Sequence, residues 1–323
     1  MLLVYLKFVK EDMMTIRFDN QVAIVTGAGN GLGRSHALAL AERGAKVVVN
    51  DLGAARDGSG GSSEAALDVV RLIKARGGEA IANGANVAKF EEVQQMVAEA
   101  MAAWGRVDIL VNNAGILRDK SFAKMDLKDF DIVMDVHLKG SVNCTKAVWE
   151  IMRKQEYGRI VMTTSSSGLY GNFGQSNYGA AKMAVVGFMN TLVLEGQKYN
   201  IHVNALAPAA ATRMTTDLGI DETALELMTP EAVTAGLLTL CHNDSPTRFI
   251  LCAGAGGYAS TQIYETDGIF LPPDQQTPEA IMALWDGVAD AGAQKVLHSG
   301  AEQSEKFVKK AIEGRMSSVF VNA

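Results

Sequence analysis

The sequence predicts an α/β fold, a doubly wound parallel sheet of seven strands with helices on both faces, followed by a C-terminal helical appendage. Three observations carry this expectation. Strand-like and helix-like patterns alternate without a break to about residue 205, as a series of βαβ units requires. The strand segments are continuous apolar runs, KVVVN and DILVN among them, which suits strands covered on both faces. A glycine-rich turn, TGAGNGLG from Thr26, joins the first strand to the first helix.

Taken in order, the expected strands are Gln21–Val25, Lys46–Asn50, Glu79–Ala82, Asp108–Asn112, Arg159–Thr163, Ile201–Leu206 and Arg248–Cys252. Helical patterns fill the intervals at Gly31–Arg43, Ser62–Ala75, Phe90–Trp104, Ser141–Lys154 and Asn177–Tyr199. The glycine- and serine-rich stretch Gly53–Ser63 reads as a flexible connector or a flap after the second strand. Residues 221–246 carry LELMTPEAVTAGLLTL, a mostly helical cap expected to act as a substrate lid. Beyond about residue 270, two further helical patterns form the appendage, whose apolar residues must pack on the domain or on a partner subunit. The expected organisation is a leader over 1–16, one domain over 17–270 and the appendage over 271–323. The leader lacks the basic start, long apolar stretch and small-residue cleavage site of a signal peptide, and it is too short to span a bilayer.

Composition excludes several function classes. With 323 residues and 48% hydrophobic content the chain can bury a large core, and its net charge of −6 gives no basic footprint for nucleic acid or for an anionic membrane. The three cysteines, Cys144, Cys241 and Cys252, have no CxxC spacing and read as reduced thiols of a cytoplasmic protein. Five scattered histidines show no pairing at ligand spacing, so no catalytic metal is expected.

The glycine turn stands between a strand and a helix, the context in which this motif binds a dinucleotide. Glycine permits φ > 0 and lets a pyrophosphate approach the main chain, where free N–H groups at the helix start face its charge. Gly27, Asn30, Gly31, Leu32 and Gly33 are the candidate contacts. Asp51 ends the second strand, 18 residues beyond Gly33. A carboxylate there accepts hydrogen bonds from both ribose hydroxyls of NAD and repels the extra phosphate of NADP; Asn30 is neutral, so NAD is the expected cofactor. Downstream, Lys182 follows Tyr178 by four residues, which places both on one helix face. An ammonium beside the phenol favours tyrosinate, and bringing a phenol from about pKa 10 to about 7 requires roughly 4 kcal/mol.

These motifs, with Asn112-Asn113-Ala114-Gly115 and Ser165, occur in the order in which the short-chain dehydrogenase/reductase family carries them, and residues 17 to 270 resemble that family, whose fold is of the Rossmann type. The resemblance implies a catalytic set of Ser165, which lies thirteen residues before Tyr178, Tyr178 and Lys182. Ser165 would hold the substrate oxygen, Tyr178 exchange its proton, and Lys182 lower the Tyr pKa and hold the nicotinamide ribose. It further implies cofactor contacts from Asn113, Ala114 and Gly115, and from Asn86 and Val87 around the adenine. Ala207-Pro208 is expected to begin a loop over the nicotinamide, with Pro208 in contact and Thr212 as the carboxamide ligand. His137 stands where many relatives have an Asn that supports a water chain to the Lys.

Several stretches, VNDLG, NNAGILRDKSF, DVHLKGS and PAAATRMT among them, are similar to one branch of the family, the (3R)-hydroxyacyl-CoA dehydrogenase units of type 2 peroxisomal multifunctional enzymes. That similarity implies NAD-dependent oxidation of a (3R)-3-hydroxyacyl-CoA to the 3-ketoacyl-CoA by a stand-alone dehydrogenase, with no peroxisomal tail in Phe320-Val321-Asn322-Ala323. The alternatives are a dehydrogenase of hydroxysteroids or of steroid side-chain CoA thioesters, since an apolar pocket under an Ala209–Leu227 lid would admit either, and a non-catalytic dinucleotide-binding protein. Asn177–Tyr199 is apolar nearly all round, so a homodimer or homotetramer is expected, formed through this helix and Ser141–Lys154.

Overall fold

The computed structural model describes residues 15–62, 64–211 and 221–321. The chain forms two compact units, one ending at Ser260 and one beginning at Thr261.

In the first unit, β1 (Val22–Thr26), β2 (Lys46–Asn50), β3 (Ala80–Asn83), β4 (Ile109–Asn112), β5 (Gly158–Thr163), β6 (Ile201–Ala209), β7 (Ile250–Gly254) and β8 (Gly257–Thr261) form one sheet in the order β3-β2-β1-β4-β5-β6-β7-β8. Every pair with a defined register from β3 to β7 is parallel. The sheet has one strand more than expected, because GYAST in β8 is an edge strand with mostly exposed residues and so lacks the apolar run that marks the others.

Both faces of the sheet are covered, and the two-residue period of a strand shows it. Val25 and Ala23 of β1 and Val47 and Val49 of β2 pack in a core with Leu40, Val69, Ile73 and Leu237. The residues between them, Ile24 and Val48, pack on the opposite face with Met96, Val148, Met152 and Met189. Helices α1 (Gly31–Glu42) and α2 (Glu64–Ala75) supply the first face, and α3 (Phe90–Trp104) supplies the second.

Between β4 and β5 the chain forms α4 (Leu127–Met134), a π-helical turn at Asp135–Lys139 and α5 (Gly140–Gln155). The helix α4 starts where the Asp126 side chain accepts a hydrogen bond from Lys128 N, at 2.9 Å. A one-turn helix α6 (Ser166–Tyr170), the long α7 (Ser176–Gly196), and, after β6, α8 (Glu222–Leu227) and α9 (Pro230–Cys241) complete the unit. The expected cap over 221–246 is corrected in part: α9 is a layer helix whose Val233, Leu237, Leu238 and Leu240 are buried in the first core, while Ala211 N donates to Met228 O, just after α8, at 2.6 Å.

The expectation of a loop from Ala207-Pro208 is corrected: β6 continues to Ala209, with Pro208 paired to Ala253 and Ala209 to Gly254. Proline can sit in a ladder where its missing N–H is not required, and Gly254 leaves room for the approach, since a Cβ there would lie 2.5 Å from Ala209 O.

Because β1 is flanked by β2 on one side and by β4 on the other, the connections leave β1 and β4 in opposite directions. The crevice at their carboxyl ends is the topological switch point at which open α/β sheets bind ligands. The second unit holds a two-stranded antiparallel pair, β9 (Tyr264–Glu265) and β10 (Lys295–Val296), with α10 (Pro278–Ala283), α11 (Trp285–Ala289) and α12 (Gly300–Val321).

Candidate active site

A cavity of about 640 Å³ lies at that switch point, and every described residue among the predicted site residues lines it. Those residues are Gly27, Asn30, Gly31, Leu32, Gly33, Asp51, Asn86, Val87, Asn113, Ala114, Gly115, Ser165, Tyr178, Lys182 and Pro208. Thr212 lies outside the described residues.

At one end the glycine turn forms a cradle with no room for side chains. A Cβ on Gly27 would lie 2.8 Å from Ala114 Cα, and one on Gly33 would lie 2.2 Å from Gly27 O. Gly27 and Gly31 have φ of 63° and 52°, values that favour glycine. Thr26 Oγ1 accepts from both Asn113 N and Ala114 N at 3.0 Å, while Asn113 Nδ2 donates to Thr26 O at 2.9 Å and to Gly27 O at 3.1 Å. The Asn113 side chain therefore fastens the β4 loop to the turn. Asp51, buried at 6% exposure, accepts from Gly29 N at 2.7 Å through Oδ2 and from Gly53 N at 2.6 Å through Oδ1. Each carboxylate oxygen keeps a lone pair for a further donor. Gly29, absent from the sequence reading, is required here because a Cβ would come within 2.8 Å of Asp51 Oδ2. Such a cradle with a fixed carboxylate beside it fits a dinucleotide.

Along the cavity wall, Val87 O accepts from Asn143 Nδ2 at 2.9 Å, and Asn86 Oδ1 accepts from Ala88 N at 3.0 Å. These bonds fix the backbone at the position where the adenine contact was expected.

The other end holds the acid-base residues. Tyr178 and Lys182 project from one face of α7 toward the end of β5, where Lys182 Nζ donates to Thr163 O at 2.6 Å and lies 5.5 Å from the Tyr178 ring centroid. Ser165 follows β5 as the N-cap of α6, its Oγ accepting from Ser167 N at 3.1 Å, and its hydroxyl pulls the Tyr178 pKa down. Of the neighbouring serines, Ser167 is turned to Gln175 Oε1 at 2.8 Å.

Burial pushes the Tyr178 phenol up to about 12, against the pull of the Ser165 hydroxyl. Burial likewise pushes the Lys182 ammonium down to about 7. Desolvation disfavours the ionised form of each.

His137 lies in the π-turn, the kind of bulge that often marks a functional position. It is buried at 2% exposure, its Nε2 is 2.8 Å from Ile116 O and 3.1 Å from Ile116 N, and its ring meets Tyr178 edge-on with centroids 5.1 Å apart. Burial, reinforced by Lys182, holds its pKa well below the ordinary value, so it is neutral. It also makes Gly115 obligatory, since a Cβ there would lie 2.4 Å from His137 Cε1.

Sequence reasoning missed Gln175 and the wall residues Ile116, Leu117, Ala54, Ala55 and Gly58. Gln175 stands three residues before Tyr178, a spacing that could have flagged it. Among the described residues there is no group of His, Cys, Asp or Glu that could hold a metal ion, and no helix long and apolar enough to cross a membrane.

Comparison with known proteins places this geometry. The family model of short chain dehydrogenases matches residues 21–223. The chain is 47% identical to peroxisomal multifunctional enzyme type 2 of Mus musculus over 278 residues, which is 85% of this chain and 37% of that protein. It is 46% identical to a short-chain type dehydrogenase/reductase of Mycobacterium tuberculosis over 86% of this chain and 96% of that one. Among solved structures, full-length peroxisomal multifunctional enzyme type 2 of Drosophila melanogaster superposes with a TM-score of 0.77 at 38% identity, over 91% of this chain and 50% of that one. A 7α-hydroxysteroid dehydrogenase complexed with NADH and 7-oxo glycochenodeoxycholic acid superposes at 0.68 and 28% identity, over 76% of this chain and 98% of that one. The chain spans only part of the length of its multifunctional relatives and nearly the whole of the mycobacterial one. It belongs to the short-chain dehydrogenase/reductase family and is a nicotinamide-dinucleotide-dependent oxidoreductase acting on an alcohol.

Proposed function

We propose that this protein oxidises a (3R)-3-hydroxyacyl-CoA to the 3-ketoacyl-CoA with NAD. The observation that carries the reading is the single cavity with Asp51 and the glycine cradle at one end and Ser165, Tyr178 and Lys182 at the other. Its substrate class rests on the similarity to the multifunctional enzymes.

The oxidised nicotinamide, when bound, supplies a hydride acceptor and a positive charge. Gly27, Asn30, Gly31, Leu32 and Gly33 would hold the pyrophosphate, Asp51 the adenosine ribose, Asn86 and Val87 the adenine. Asn113, Ala114, Gly115, Pro208, Lys182 and Thr212 would hold the nicotinamide half. Ser165 orients the substrate hydroxyl, since its own Oγ is already fixed by Ser167 N. Tyr178 takes the hydroxyl proton as the carbinol carbon is oxidised. For that it must ionise, and moving a phenol from about 12 to about 7 takes roughly 7 kcal/mol. The Lys182 ammonium, 5.5 Å from the Tyr178 ring centroid, provides roughly 3 kcal/mol of this at an effective dielectric of about 20, and it is held in place by the Thr163 carbonyl.

NAD is preferred over NADP because Asp51 is a fixed, buried carboxylate where the extra phosphate would approach. The three cysteines, with no CxxC spacing, are the ground for proposing a reducing compartment such as the cytoplasm; Cys144 and Cys241 are buried free thiols pushed up to about 12 by burial and so unreactive. Turnover with (3R)- and (3S)-3-hydroxyacyl-CoA of graded chain length and with hydroxysteroids, each with NAD and NADP, tests the reading. Activity confined to the (3R)-thioesters with NAD is expected, and activity confined to steroids would replace the substrate class.

A further inference from the structure

The sequence leaves the segment after Asp51 as a connector or a flap. In the structure it is neither loose nor remote. Ala54, Ala55 and Gly58 line the cavity beside Asp51 and the glycine turn. The segment closes on itself through Ser62 N to Leu52 O at 2.9 Å and Ala55 N to Ser59 O at 2.8 Å. Gly53, Gly58 and Gly60 have φ of 69°, 88° and 72°, conformations in which glycine turns without strain.

Its outer edge is fastened to the stretch that follows β4. Leu117 N donates to Arg56 O at 3.0 Å, and Arg118 Nε donates to Asp57 O at 2.9 Å. Gly58 faces Ile116, where a Cβ would lie 3.2 Å from Ile116 Cδ1. The same Arg118 guanidinium pairs with Asp129 of α4 through Nη1 at 2.7 Å. Meanwhile Asn177, fully buried, donates from Nδ2 to Arg118 O at 3.0 Å and accepts from Tyr178 N at 2.7 Å. One residue thus bridges the segment over the adenosine end and the start of the helix that carries the acid-base pair.

We propose that Arg118 is a positioning residue that latches the 53–62 segment over the adenosine end of the cavity, so that opening of this latch governs binding and release of the dinucleotide. The Arg suits the task because its planar fork serves two acceptors at once, the Asp57 carbonyl and the Asp129 carboxylate, which a Lys ammonium on a flexible stem would not hold together. The latch rests on the reading that puts the adenosine half beside Asp51.

The test uses the full chain and two variants, Arg118→Met and Arg118→Lys, with ADP-ribose and NAD as probes. Trypsin cleavage after Arg56 reports the segment directly. For Arg118→Met, losing the charge-assisted hydrogen bond to Asp57 O that fastens the segment is expected to weaken both probes roughly tenfold, to speed NAD dissociation correspondingly and to accelerate cleavage after Arg56. Arg118→Lys should fall between it and the unmodified protein in all three. Unchanged probe affinity, or weakened affinity with unchanged cleavage after Arg56, would overturn the latch. A purely structural role for the Arg118–Asp129 pair is separated by Asp129→Asn, which should lower thermal stability while leaving ADP-ribose affinity within about twofold; a tenfold loss there would also overturn the latch. Failure of the unmodified protein to bind ADP-ribose would instead overturn the placement of the adenosine half.

Discussion

Replacement of Asp51 by Ala separates two roles that the structure gives to one carboxylate. In the folded protein Asp51 is the acceptor of two backbone donors, Gly29 N at 2.7 Å and Gly53 N at 2.6 Å, on a side chain only 6% exposed. Ala strands both donors, one of them on the buried Gly29, at a cost of about 1–3 kcal/mol for the buried donor and less for the other. For a domain of this size that lowers Tm by about 2–12 °C before any ligand is considered. Losing two hydrogen bonds from ribose hydroxyls to a charged acceptor removes a further 3 kcal/mol or so, which is roughly a hundredfold in NAD affinity. NADP loses no such contact and is freed from repulsion, so the gap between the two dinucleotides closes. Scanning calorimetry without ligand and titration calorimetry with each dinucleotide measure the two effects independently. A variant with unchanged Tm and an unchanged NAD-to-NADP ratio would refute the reasoning, as would an unmodified protein that binds both dinucleotides equally.

Three further outcomes are expected. Ser165→Ala should lower turnover by about 10² to 10³, as for loss of one preorganised donor, and an effect under twofold in steady-state kinetics would move that role elsewhere. His36 is buried, its Nδ1 2.7 Å from Thr234 Oγ1, and burial depresses its pKa from 6.5 to about 3; its contribution to stability is therefore present above pH 6.5 and is lost as pH falls toward 3. Between pH 7 and pH 5 the unmodified protein should lose about 2 kcal/mol more than His36→Gln does in urea unfolding, and parallel losses would contradict it. Light scattering at micromolar concentration should give a dimer or tetramer of the 34.4 kDa chain, because α7 turns Met183 and Leu194 outward at 39% and 51% exposure; the mass of one chain would refute the assembly.

How much of this was legible in the sequence depends on the range of the interaction. The β1–turn–α1 unit and the Tyr178–Lys182 pair were legible because each is written in a few adjacent residues. The Asp126 cap of α4 offered a similar local signal, DLKDFD, that went unread. What could not be read depends on residues far apart in the chain. Gly29 and Gly115 must be glycine because Asp51 and His137 lie against them, and spacing alone names neither partner. The strand through Pro208 is decided by β7. The phenol of Tyr178 sits high because the fold buries it, an effect to which a motif is blind. The segment after Asp51 looked mobile from its glycines, while Arg118, distant in sequence, holds it.

In the proposed reaction Tyr178 exchanges the proton of a (3R)-3-hydroxyacyl-CoA while NAD takes the hydride. The most direct measurement compares the unmodified protein with Tyr178→Phe, following reduced nicotinamide by absorbance and NAD affinity by calorimetry. Phe can keep the edge-on contact with His137 but has no exchangeable proton. NADH and 3-ketoacyl-CoA are expected in equal amounts from the unmodified protein, with no turnover by the variant at undiminished NAD affinity. Turnover by Tyr178→Phe at a rate near that of the unmodified protein would contradict the proposal.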